Sequence, residues 1–61
     1  MRMKHTVKLK SGCQKVYEFR TTADSNKALK NAIILHNAFN TIKCIWIEPI
    51  NYPENRKRID F

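Results

Sequence analysis

The chain has 61 residues and carries 12 Lys and Arg against 5 Asp and Glu, for a net charge of +7. A chain this short buries only about 60% of the surface its unfolded form exposes, so its core is thin and leaves little room to shut a substrate away from water. Length therefore speaks against a catalytic pocket. The charge speaks for an anionic partner, whether phosphate backbone, anionic lipid or acidic protein.

From Met3 to Lys10 the sequence alternates. Met3, His5, Val7 and Leu9 fall on one side, and Lys4, Thr6, Lys8 and Lys10 on the other. Period two with one apolar side predicts a half-buried strand. Ser11 and Gly12 follow, and Gly12, the chain's only glycine, supplies the positive φ of a tight hairpin. A second strand is predicted over residues 14–21, rich in the β-formers Val16, Tyr17, Phe19 and Thr21. Tyr17 and Phe19 share a side, and Lys15 shares it at the strand end.

The period then changes. Asp24 or Ser25 offers N-cap chemistry, and residues 26–39 read as a helix. At about 100° per residue, Ala28, Leu29, Ala32, Ile33, Leu35, His36 and Phe39 form one broad apolar face, with Lys27, Lys30, Asn31 and Asn37 outside it. Asn40 suits a left-handed terminator. Residues 42–48 read as a third strand that Pro49 stops. In it Ile42, Cys44 and Trp46 point one way, Ile45 and Ile47 the other. Residues 51–61, with the cluster Arg56, Lys57 and Arg58, read as an extended or partly disordered basic tail.

The expected architecture is α+β, of ββαβ order. Residues 1–50 form one domain, a three-stranded antiparallel sheet of strand order 2-1-3 with one helix packed on one face. The helix is expected on Met3, His5, Val7, Leu9, Tyr17 and Phe19. The opposite face then carries Lys4, Thr6, Lys8, Lys10, Val16, Glu18 and Arg20. One apolar side of the third strand is left without cover. A tail folding back through Ile50, Tyr52, Ile59 and Phe61, a homodimer through the third strand, or a partner would cover it.

Catalytic and metal constellations are not supported. The carboxylates Glu18, Asp24, Glu48, Glu54 and Asp60 are scattered, with no pair set for acid–base work. His5, Cys13, His36 and Cys44 lack the short ligand spacing of metal sites. His36 reads as a neutral histidine with one hydrogen bond. Two cysteines are too few for a disulfide framework, so the expectation is reduced thiols in a cytoplasmic protein. No stretch approaches about 20 apolar residues, so no membrane partner is expected. No cofactor and no enzyme activity are expected.

The ingredients for nucleic acid are present. Lys4, Lys8, Lys10, Arg20, Arg56, Lys57 and Arg58 would track phosphate, and Trp46 would stack on a base. Large aromatics dominate small cores, so the sequence places Trp46 in the core first. Turned outward, it is the best stacking ring, with Tyr52 next. No RNP-type motif, zinc-finger spacing or helix-turn-helix pattern accompanies the charge. The alternative is a protein-binding surface. Ile34 lies on the polar side of the helix with Lys27 and Lys30 as a rim, suited to an acidic partner.

Over Val7 to Pro49 the chain resembles small early bacteriophage proteins, the short inhibitors of host RNA polymerase among them. The resemblance lies in length and in the order strand, turn, strand, Ala-rich helix, strand, Pro. It implies a host-directed inhibitor working in the host cytoplasm.

Overall fold

The computed structural model describes all 61 residues. The strands are β1 (Met3–Leu9), β2 (Gln14–Phe19), β3 (Ile42–Pro49) and β4 (Lys57–Asp60), and the helix is α1 (Thr22–Phe39). The sheet is antiparallel throughout, in the order β2-β1-β3-β4. The fold is thus α+β with one helix, as expected, but the sheet has four strands rather than three. The fourth comes from the segment read as a tail. Pro53 opens a single 3-10 turn (Pro53–Asn55), after which residues 57–60 pair with β3. The segment is extended, as its sequence suggests. Its pairing was not legible because Ile59 is its one apolar strand residue.

β1 and β2 join through a three-residue loop. Gly12 N–H donates to the Leu9 carbonyl (3.0 Å) and Leu9 N–H to the Cys13 carbonyl (2.8 Å), with Gly12 at φ 97°. This is the positive-φ turn that the glycine predicts. α1 begins earlier than expected. Thr21, not Asp24 or Ser25, caps it, its Oγ1 accepting from Asp24 N–H at 3.1 Å. Asp24 is left to complement the helix dipole in the first turn. Asn40 ends the helix in the left-handed conformation (φ 52°, ψ 44°), and its N–H donates to the His36 carbonyl.

Register settles which residues share a face. Val7 pairs with Ile45 and His5 with Ile47, on the helix side. Thr6 pairs with Trp46 and Lys8 with Cys44, on the open side. The register then shifts between Lys8 and Leu9, so that Leu9 pairs with Ile42 and Lys43 is the extra residue of a β-bulge. The bulge returns Ile42 to the helix side with Val7 and Ile45, and these three form the buried core, with Leu9, Leu29, Ala32 and Ile47 packed against it. Strict alternation had placed Ile42 with Cys44 and Trp46. The third strand therefore presents no uncovered isoleucine stripe. It also has no free edge: β1 and β4 flank it, which rules out a homodimer through its edge.

The helix meets the sheet along Ser25, Ala28, Leu29, Ala32 and His36, a stripe one turn apart repeated along the axis. Leu35 (54% exposed), Phe39 (68%) and Ile33 (36%) lie outside the contact, although the periodicity had them on the buried face. At about 100° per residue Leu35 and Ile33 sit at the two flanks of that stripe, too far round the helix to meet the sheet, and Phe39 is the last residue of the helix.

Candidate functional site

The open face of the sheet centres on Trp46. Across the sheet the row through it reads Val16, Thr6, Trp46, Arg58, one residue from each strand in spatial order. The neighbouring row reads Gln14, Lys8, Cys44, Asp60, and the one beyond it Glu18, Lys4, Glu48. Trp46 is half-buried on this face, not in the core where its size had placed it. Its pairing with Thr6 is the reason, since Thr6 faces away from the helix. Two guanidiniums lie over the indole, Arg56 at 4.9 Å and Arg58 at 5.4 Å from the ring centroid, an arrangement that the ring quadrupole favours.

Of the residues predicted to meet nucleic acid, Lys4, Lys8, Trp46, Arg56 and Arg58 gather on this face. Arg20 lies exposed just past the end of β2. Lys10 does not join them: it sits in the hairpin loop, and its Nζ donates to Asn40 Oδ1 at 2.6 Å, clipping the loop to the end of the helix. Lys57 pairs with Ile47 and so points to the helix side. Lys27, Lys30 and Ile34 are exposed on the outer helix, as expected, with Ile34 at 64%.

The electrostatics of the face are mixed. Lys4 Nζ lies 3.7 Å from Glu48, Arg58 Nε 2.7 Å from Asp60, and Arg2 3.9 Å from Glu18. The hydrogen bond that Arg58 donates to Asp60, and then the Asp60 charge, push the Arg58 guanidinium further up in pKa. Lys8 and Arg56 have no carboxylate partner within 4 Å. Sequence reasoning had placed Glu18 here but missed Glu48 and Asp60. Glu48 follows once the alternation of β3 is anchored on Trp46. Asp60 needed the fourth strand.

Of the three buried polar residues Thr6 lies on the open side, and His5 and Ser25 lie on the helix side. His5 Nε2 and Ser25 Oγ lie 2.6 Å apart, both residues buried. The His5 ring packs on Phe19 with centroids 4.6 Å apart, and burial lowers its pKa from the ordinary 6.5. His36 stacks on Phe61 at 4.4 Å, and its buried Nδ1 lacks the hydrogen bond expected of it. Cys13 is exposed, Cys44 is buried, and both are free thiols. No His, Cys, Asp and Glu cluster fit to hold a metal forms, and no helix is long and apolar enough to cross a membrane.

Compared with family models, curated proteins and solved structures, the chain matches none.

Proposed function

We propose that this protein works by binding, and that the open face of its sheet takes single-stranded nucleic acid. One observation carries the reading: Trp46 is turned outward at the middle of the face, with Lys4 and Lys8 on β1 to one side and Arg56 and Arg58 to the other. An aromatic platform between rows of cations is the arrangement on which bases stack while phosphates follow the charge, each stacked base contributing about 1–3 kcal/mol. A base arriving on the indole takes the place of one guanidinium, and the displaced arginine is then free for phosphate. Sequence readout is not part of the proposal, because the face offers few donors and acceptors at fixed positions.

A second reading has its own observation. Ile34 stands 64% exposed on the outer helix beside Lys27 and Lys30, an anchor and rim for an acidic host protein. The likeness to phage-encoded inhibitors acting in the host cytoplasm fits that reading. Binding to a labelled oligonucleotide separates the two: Trp46→Ala weakens it by about 1–3 kcal/mol on the first reading, and Ile34→Lys leaves it unchanged.

A further inference from the structure

The two edges of the sheet are built differently. β4 is four residues long, follows a proline turn and carries Lys57, Arg58 and Asp60, the short charged form by which proteins blunt an edge against pairing. β2 has no such protection. It pairs with β1 in unbroken register over six residues, with no proline and no bulge. It is also a neutral part of a chain of net charge +7, with Lys15 and Glu18 its only charges. Val16 on the open side and Tyr17 on the helix side stand 55% and 46% exposed along it, and Leu35 shares a groove with Tyr17.

The orientation of its free backbone groups follows from one bond. Leu9 N–H donates to the Cys13 carbonyl, so Leu9–Cys13 is a hydrogen-bonded pair. Antiparallel pairs alternate in type. Val7–Lys15, His5–Tyr17 and Met3–Phe19 are therefore bonded as well. The N–H and C=O groups of Gln14, Val16 and Glu18 point away from the sheet and stand open.

These three residues admit one complete pairing with a second copy. Two β2 strands related by a two-fold axis bond only where outward groups meet outward groups. With Val16 against the partner's Val16, Gln14 meets the partner's Glu18 and Glu18 the partner's Gln14, so all three residues are used. Moving the register by two residues in either direction leaves one of the three opposite a residue outside the strand, and one of those moves sets Lys15 against the partner's Lys15. In the complete register Lys15 instead lies opposite the partner's Tyr17, in the pair type that brings side chains closest, with its stem along the ring. On the open side Glu18 lies between Lys4 of its own copy and the partner's Gln14, beyond which stands the partner's Lys8. No like charges adjoin across the seam.

We propose that this edge joins two copies of the chain, β2 to β2 about a two-fold axis, so that the two four-stranded sheets continue into one. About six main-chain hydrogen bonds cross the seam, two for each bonded pair. On the helix side the two grooves meet, and each Tyr17 closes the other copy's groove beside Lys15 and Leu35. The charged β4 edges lie at the far ends, so assembly stops at two copies. The net charge of +7 on each copy opposes association at low salt, and salt screens that repulsion, with a Debye length of about 8 Å at about 0.15 M. The dimer therefore strengthens with salt, opposite to the oligonucleotide binding proposed above. It does not depend on that binding: it forms without nucleic acid, and Lys15 and Tyr17 lie on the side away from Trp46.

Sedimentation equilibrium of the full chain tests it, under reducing conditions that keep the exposed Cys13 from linking copies. Protein concentration is varied at low salt and at about 0.5 M, where the Debye length is about 4 Å. The expected result is a mass that rises with concentration toward twice that of one chain and no further, with a dimer at least tenfold tighter at the higher salt. Tyr17→Lys sets lysine against lysine at both crossings of the seam and should weaken the dimer at least tenfold. Adding Lys15→Glu restores opposite charges at those crossings and should recover most of the loss. Leu35→Lys, at an exposed helix position, should weaken the dimer as well. Far-ultraviolet circular dichroism and the melting curve of each variant check that the fold is kept. A single-chain mass at every concentration overturns the proposal and leaves β2 to a strand of another protein. A dimer that Tyr17→Lys leaves unweakened, or that the double change does not restore, overturns it too, as does a mass that grows past two copies. No oligonucleotide enters the measurement, so its failure leaves the nucleic-acid proposal standing.

Discussion

His5 Nε2 and Ser25 Oγ sit 2.6 Å apart between the middle of β1 and the first turn of α1, joining residues twenty positions apart in sequence. Both are buried in a core whose apolar part is only Val7, Ile42, Cys44 and Ile45. Losing the hydroxyl strands the imidazole nitrogen without a partner, and the cost of an unsatisfied buried polar group is about 1–3 kcal/mol. Ser25→Ala is expected to lower the unfolding free energy by that amount, seen as a lower urea midpoint with an unchanged m-value. Equilibrium denaturation followed by Trp46 fluorescence measures it.

The same histidine sets a pH dependence. Burial lowers its pKa in the native state below 6.5, so the unfolded chain takes up a proton that the folded one refuses. The stability this provides is whole above about pH 6.5 and falls as pH drops below it, by at most about 1.4 kcal/mol per pH unit, until the native pKa is passed. An NMR titration should show the His5 ring protons shifting with a midpoint under 6.5. A midpoint above 6.5 contradicts the burial argument.

The two thiols differ in access. Cys13 is exposed at the hairpin and Cys44 is fully buried on β3. A disulfide-exchange reagent should modify one thiol per native chain rapidly, and the second only at the rate of unfolding. Cys13→Ser should abolish the fast phase.

Glu48 and Asp60 hold Lys4 and Arg58 within 4 Å on the proposed binding face. Each carboxylate also repels a phosphate placed nearby, by roughly 0.7 kcal/mol at about 6 Å in water. Glu48→Gln and Asp60→Asn should each tighten oligonucleotide binding about threefold at low salt. Asp60 is open to solvent, so its change should move thermal stability little, whereas the Glu48 side chain is only 12% exposed and its change should cost more.

The architecture was largely legible because its local signals agree. The alternation of Met3 to Leu9, the single glycine at 12 and the left-handed Asn40 each state one structure and are found in it. What was hidden is non-local. The bulge at Lys43 puts Ile42 on the face opposite Cys44 and Trp46, against strict alternation, and no residue type announces it. Residues 57–60 pair because β3 offers them an edge, not because their own pattern demands it. The exposure of Leu35 likewise depends on how the helix is rolled on the sheet, and that of Phe39 on where the helix ends, neither of which the wheel contains. Of the candidate site, the cations were readable as charge. Their convergence on an outward Trp46 was not, because it follows from the pairing of Trp46 with Thr6 and of Arg58 with Trp46.

The account rests most on the open face, and one measurement bears on it directly: fluorescence anisotropy of a labelled single-stranded oligonucleotide across a range of salt. If Lys4, Lys8, Arg56 and Arg58 each meet a phosphate, log K falls with log salt at a slope of about −3. Trp46→Ala should then weaken binding by about 1–3 kcal/mol. A slope near −3 with an affinity that Trp46→Ala leaves untouched would mean charge alone, spread over the surface. Absence of saturable binding at low salt would contradict the nucleic-acid reading outright.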